Sequence, residues 1–397
     1  VSAPDGFQTD RSESEIGDAT GPIRALPVES HRGPQPQPTA APGVKTPQPS
    51  KTKPLTLVDG PPPGRPGEAG RNAPPINLLT AQLRAEILSA PRRHSEIGWR
   101  KWLYRSSLGV INAGESRLEA ERRSLLATAK RPWRGIHSVV VLGGKGGVGK
   151  TMVTAAVGSM LAELRSKDMV LATDADPGQS ADLAAWIDPT ASSTFADVLA
   201  HNEPERKFDL RYFVGQNPET GLDVLAANAY SGRPRGDIDA DVYTQAHQRL
   251  QRLYSLLLTD TGVDYWHSVM PGVLRCSNGA LLVTSAVPGG AEGAMRAIDW
   301  LVAEGYQHLV ARMVLVINHV RGFDSRRDRR TTEHLVAGMT EQFNRWVSPD
   351  RIVGLPYDPH IAAGGPLDLN QLQPATWHAL LKATAAVSYG LATGWSA

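Results

Sequence analysis

Eight residues constrain this chain more than any others. They are Gly144-Lys145-Gly146-Gly147-Val148-Gly149-Lys150-Thr151, directly after the apolar run Ser138 to Leu142. They match G-x-x-x-x-G-K-[ST], a phosphate-binding loop, with an extra lysine in second place. Glycine takes the required turn cheaply because it lacks Cβ, so successive backbone N–H groups can converge on an anion. Lys150 would reach the β- and γ-phosphates, and the Thr151 hydroxyl would complete a Mg²⁺ shell. The context also fits: a β-branched strand precedes the loop and a helix-compatible run, Met152 to Leu164, follows it. The candidate nucleotide-binding stretch is therefore Gly144, Gly146, Gly147, Val148, Gly149, Lys150, Thr151 and Met152.

The 397 residues provide room for a large core. A net charge of +2 is close to balanced, so global charge points to neither nucleic acid nor membrane. The single cysteine, Cys276, excludes an internal disulfide framework and fits a reducing cytoplasm. No apolar run approaches the roughly 18 residues of a membrane span. The N-terminus lacks the basic-then-apolar pattern of a secretory signal. Stable membrane insertion is not expected.

Three zones separate by composition. Residues 1–75 hold about half of the 30 prolines and few apolar residues, which predicts a disordered Pro-rich leader. Residues 76–134 read as a basic amphipathic helical arm. Leu78, Leu79, Leu83, Ile87 and Leu88 recur at helical spacing up to Pro91. Trp99-Arg100-Lys101-Trp102 follows, and then a helical run from Leu118 to Ala129. Basic residues interleaved with aromatics suit nucleic acid or anionic lipid. The favoured expectation is an arm that packs its tryptophans on the main domain and leaves its cations solvated.

Residues 135–397 alternate apolar strands with helical runs, which predicts an α/β fold with a doubly wound, mostly parallel sheet. The expected strands are Ser138–Leu142, Met169–Thr173, Leu222–Ala226, Ser255–Thr259, Ala280–Ser285, Met313–Ile317 and Arg351–Leu355. Ligands of such sheets bind at the carboxyl ends of the strands. Polar groups gather there. Asp174 and Asp176 follow the second strand; one would support Mg²⁺ while the other positions or activates water. Asp260 closes the fourth, where an acid can hold Mg²⁺ directly or through water. Asn318 and Pro356-Tyr357-Asp358 close two later strands. An amide can pair with a purine edge, and a turn at proline can flank the ring. An Asx turn and an ordinary proline exit account for them equally well.

Together these motifs resemble the deviant Walker A ATPases, the ParA/MinD group of P-loop proteins. The resemblance rests on Lys145 to Thr151, Asp174-Ala175-Asp176-Pro177, Asp260-Thr261-Gly262, Asn318 and Leu355 to Asp358, in family order. It implies that Lys145 reaches phosphate across an ATP-sandwich homodimer, that Lys150 is the Walker lysine and that Thr151 is a Mg²⁺ ligand. It further implies that Asp176 positions the attacking water beside Asp174, that Asp260 is the Walker B acid, and that Asn318, Pro356 and Asp358 border the adenine. The family usually reads Asp-Pro-Gln-Gly where this chain has Asp176-Pro177-Gly178-Gln179. The final helix, about Thr376 to Leu391, is alanine-rich with Lys382 its one cation, unlike a membrane-targeting helix.

A Pro-rich leader, a basic Trp-containing segment and KGGVGKT in that order are similar to the EspI-like proteins of mycobacterial type VII (ESX) secretion loci. The two resemblances imply a cytoplasmic Mg²⁺-dependent ATPase, dimeric with ATP, that regulates or organises a type VII secretion apparatus through leader or arm. Two alternatives stand beside it. One is a partition ATPase binding DNA nonspecifically, for which Arg321, Arg326, Arg327, Arg329 and Arg330 supply a basic cluster; a solvated loop explains that cluster better. The other is a nucleotide-binding scaffold with little hydrolysis.

Overall fold

A computed structural model of the chain describes residues 94–95, 98–166, 168–178, 182–200, 214–227 and 238–395. All fall within one compact unit, Asn77–Ala397. The leader, the helix expected over Leu78 to Leu88, and Gln179 and Ser180 lie outside the described residues.

Two helices come first, α1 (Gly98–Ser106) and α2 (Arg117–Ala129). The second starts at a capping box: Ser116 accepts from the Glu119 backbone and the Glu119 carboxylate accepts from the Ser116 backbone. Such a cap stabilises a helix by about 1 kcal/mol. The α/β body then runs β1 (His137–Gly143), α3 (Lys150–Leu164), β2 (Val170–Asp174), α4 (Leu183–Ile187), α5 (Phe195–Ala200), β3 (Gly215–Gln216), β4 (Asp223–Leu225) and α6 (Ala240–Leu250). It continues with β5 (Leu256–Asp260), α7 (Met270–Cys276), β6 (Gly279–Ser285), α8 (Pro288–Ala303), α9 (Gln307–Ala311) and β7 (Met313–Asn318). It ends with α10 (Arg326–Phe343), β8 (Ile352–Leu355), α11 (Pro359–Ala363) and α12 (Pro374–Thr393).

All seven expected strands form. The one not foreseen, β3, is a two-residue edge held antiparallel to β4, too short to carry a hydrophobic period. The sheet order is β3-β4-β2-β5-β1-β6-β7-β8, parallel apart from β3. Both faces are covered, so the strands read as continuous apolar runs, as buried parallel strands do. Alternate residues nevertheless meet different layers. Val139 and Val141 of β1 pack with Leu256, Leu258, Val314 and Val316 under α3 and α12. Val140 and Leu142 pack with Leu257, Leu282 and Leu315 on the other face, under α6 to α10. This parity decides which strand-end side chains meet the phosphate loop.

Helix α12 is a core element, with Leu380, Leu381, Val387 and Ser388 fully buried. Thr384 Oγ1 contacts Met160 Sδ at 3.7 Å, and Ser388 Oγ donates to Ala129 O at 2.9 Å. The arm is attached through Ser388 and through its buried Trp133, and not through Trp99 or Trp102. Trp99 and Trp102 are 67% and 71% exposed, contrary to the packed arrangement expected from the sequence. Instead Arg122 stacks over Trp377 and Lys382 pairs with Glu121 at 2.8 Å. Buried Arg165 donates to Ala129 O and Arg131 O while lying 3.4 Å over the Trp133 ring. Local pattern along α1 and α2 could not reveal which face had a partner.

Candidate functional site

The loop between β1 and α3 is shaped by three glycines. A methyl group on Gly143 would stand 2.8 Å from Lys150 Cδ, so only glycine lets the Lys150 side chain lie back across the loop. Gly147 and Gly149 have φ of 72° and 92°, the left-handed region that L side chains disfavour. Gly149 is also the N-cap of α3, so the first turn of that helix presents its free N–H groups to the loop. Lys150 is 9% exposed, whereas Lys145 points outward from the same loop. Its Nζ lies 3.7 Å from where a Cβ of Gly289 would stand, at the start of α8.

Strand parity brings the acids to this loop. Asp174 follows Val170 and Ala172 on the α3 face, Asp260 follows Leu256 and Leu258, and the two are paired in register across β2 and β5. Asp260 is 1% exposed; its oxygen lies 3.4 Å from Thr154 Oγ1, and the Thr151 hydroxyl bonds to it. Burial pushes the Asp260 carboxyl up to about 6, against the pull of the Lys150 charge. Burial, reinforced by the Asp260 charge, also raises Asp174 well above the usual carboxylate range. Both Asp174 oxygens are used, accepting from Asp176 N and Leu183 N at 3.1 Å each, so this acid ties the turn after β2 to α4. Asp176 accepts from Gly178 N at 2.8 Å through Oδ1. A methyl on Gly262 would stand 2.7 Å from that atom, so Gly262 lets the Asp176 turn close over the exit of β5.

Asn318 shares the parity of Val314 and Val316 and so meets the loop from β7. Its amide donates to Val148 O at 2.9 Å and is buried. The side chain thus braces the phosphate loop instead of forming an Asx turn. Asp358 is also spoken for: Oδ1 accepts from His360 N at 2.9 Å and Oδ2 from Gln373 N at 2.8 Å. It caps α11 and anchors the segment before α12, just beyond Pro356 at the end of β8. The backbone of that strand end accepts from His319 N at Leu355 O, 2.9 Å, which holds the two later exits side by side.

The glycines of α8 were not singled out in the sequence. A methyl on Gly144 would stand 1.9 Å from Gly293 O, so loop and helix meet backbone to backbone. Gly290 is likewise pressed against Ser285. The run Pro288-Gly289-Gly290 with Gly293 was the available signal, unreadable until α8 was known to lie beside the loop. Behind the acids, Thr173 and Thr259 face the opposite layer, where Tyr243 bonds to Thr259 at 2.8 Å and burial depresses His247 to about 4.

Among the described residues, no three His, Cys, Asp or Glu side chains form a metal cluster. The donor set does suit Mg²⁺: one hydroxyl and one buried carboxylate at a phosphate site, both hard oxygen ligands.

A phosphate loop feeding a helix at the carboxyl edge of a parallel sheet, with Asp260 closing the neighbouring strand β5 on the α3 face, defines a P-loop nucleotide-binding protein. The family model described as CobQ/CobB/MinD/ParA nucleotide binding domain matches residues 139–364. The chain belongs to that family. It is 38% identical over 294 residues to the ESX-1 secretion-associated protein EspI of Mycobacterium tuberculosis, covering 74% of this chain and 42% of that protein. The chain therefore spans less than half the length of that relative. It is 29% identical over 188 residues to the septum site-determining protein MinD of Synechocystis, covering 46% of this chain and 64% of the other. Among solved structures, the MinC:MinD cell division protein complex of Aquifex aeolicus matches with a TM-score of 0.46 and 20% identity, covering 62% of this chain and 94% of that one.

Proposed function

We propose that this chain is a Mg²⁺-dependent ATPase that works as a dimerising nucleotide switch and regulates or organises a type VII (ESX) secretion system. The observation that carries the reading is the division of labour between the two loop lysines. Lys150 is buried against Gly143 beside Asp260 and Thr151, where it meets the phosphates of its own nucleotide. Lys145 stays exposed at the rim, free to reach the phosphates of a nucleotide held by a second copy. A cation supplied in trans neutralises transition-state charge only when two loaded subunits meet, which couples dimerisation to hydrolysis.

Hydrolysis converts ATP and water to ADP and phosphate. The N–H groups of the loop and of the first turn of α3 bind the phosphates, and Lys150 balances their charge. Thr151 and Asp260 would hold Mg²⁺, which would supply charge neutralisation at the phosphates. Asp176, fixed through Oδ1 to Gly178, keeps Oδ2 to orient the attacking water. Asn318 holds the loop in shape, and Pro356 and Asp358 set the edge of the base site. The secretion role rests on the 38% identity to a protein named for ESX-1 secretion.

Turnover by the purified chain tests the reading. Slow hydrolysis is expected, abolished by Lys150→Ala and lowered at least about a hundredfold by Asp176→Ala. Wild-type turnover in both variants would refute the assignment, and nucleotide binding with no turnover in the parent chain would favour the scaffold. The partition reading is weaker on structure: Arg321 pairs with Asp324 and Asp328, and Arg329 with Glu333, which leaves fewer cations of that cluster for DNA.

A further inference from the structure

The arm presents an apolar face that nothing among the described residues covers. At about 100° per residue, Trp99, Trp102, Leu103 and Ser106 of α1 fall within one sector of about 100°. Arg100 and Arg105 stand on its two flanks, each about 60° beyond the sector edge by the same spacing. Tyr104, on the opposite side, turns inward to stack on His94 at 4.5 Å. The helix is therefore held by its polar side and shows its tryptophans outward. The turn after it continues the surface: Leu108 is 94% exposed and Val110 85%, with Ile111 beside them. Leu108 sits at φ 52°, an unfavourable angle for leucine, in a turn closed by Gly109 N donating to Tyr104 O at 2.8 Å. That turn holds a leucine in water.

Charge narrows the occupant. Between Gly98 and Gly114 there are three cations, Arg100, Lys101 and Arg105, and no acid. A helix with Trp and Leu on one sector, arginines along its margins and an aliphatic tip beside it has the composition of an interfacial membrane element. Nucleic acid would leave Leu108 and Val110 without a contact. A protein partner would need a shaped recess, whereas these side chains protrude from a convex helix and turn. Among the described residues no helix is long and apolar enough to cross a membrane, so the contact would be peripheral.

We infer that α1 and the turn after it dock on an anionic lipid surface, with Trp99, Trp102 and Leu108 in the headgroup region and Arg100 and Arg105 on lipid phosphates. This contact is independent of nucleotide chemistry and adds a location to the switch.

Sedimentation of the full chain with phosphatidylcholine vesicles, with and without phosphatidylglycerol, tests it. Binding is expected only to the phosphatidylglycerol vesicles and should weaken with salt. Trp99→Ser with Trp102→Ser should lower partitioning at least about tenfold. Arg100→Gln and Arg105→Gln should each cost about fivefold. Leu108→Ser with Val110→Ser alters only exposed side chains and should weaken binding without affecting the fold, checked by nucleotide-analogue binding. Three results would overturn the inference: no binding of the parent chain to anionic vesicles, binding unchanged in all these variants, or binding to duplex DNA in place of vesicles.

Discussion

Gly144→Ala separates the local demands of the phosphate loop from its general composition. A methyl at this position would stand 1.9 Å from Gly293 O and 2.0 Å from Gly293 C, both backbone atoms of α8. Carbon atoms pack best at about 3.5 Å, so the loop and helix would have to part by roughly 1.5 Å. Neither side can yield by rotating a side chain. Overpacking of this kind costs about 1–3 kcal/mol, and at about 2–4 °C per kcal/mol the melting temperature should fall by roughly 2–12 °C. The displaced loop should also lose nucleotide affinity. Gly146→Ala is the control, two residues away in the same motif, because its methyl would meet nothing within 4 Å and its φ is not left-handed. Thermal denaturation of the nucleotide-free protein should show a loss in the first variant and none in the second. Equal melting temperatures for the two would refute the close apposition of loop and α8.

The Asp260 carboxyl has a pKa of about 6 in the fold, against an ordinary value near 3.8. The native state thus binds this proton more tightly than the unfolded chain, so nucleotide-free stability should fall as pH rises from about 4 through about 6, and the raised Asp174 should extend that fall to higher pH. Asp260→Asn should flatten that profile in denaturant titrations and weaken Mg²⁺-nucleotide binding; an unchanged slope would sink the argument. Lys145→Ala should keep nucleotide affinity yet fail to dimerise on size exclusion with a nonhydrolysable ATP analogue, and a normal dimer would exclude a role in trans. Arg165→Ala removes the guanidinium that bonds to Ala129 O and Arg131 O and covers Trp133, so a loss of about 3 kcal/mol is expected. Protease should then cut before Gly135 more readily; unaltered melting and cleavage would show the clamp to be unimportant.

The phosphate loop, the acids at the ends of β2 and β5 and the parallel sheet were all legible in the sequence, because each rests on local pattern. Alternation of apolar strands with helices predicts a parallel sheet, and glycine spacing around Lys150 predicts an anion site, without any long-range knowledge. Roles that depend on a distant partner were not legible. Asn318 read equally well as a base contact or a turn, and only the register of β7 places its amide on Val148 O. The two oxygens of Asp358 accept from His360 N and Gln373 N, the second donor arriving from a segment 15 residues on, and no local pattern signals that bond.

The arm shows the same division most sharply. Its sequence determined the helical run from Leu118 to Ala129 and the tryptophans set beside basic residues ahead of it. Which face found a partner was decided in three dimensions, because burial depends on surfaces far apart in the chain. Helix α2 met α12 and α3 and was secured there by Ser388, Lys382 and Arg165. Helix α1 met His94 and the turn before α2, and among the described residues Trp99 and Trp102 stay in water.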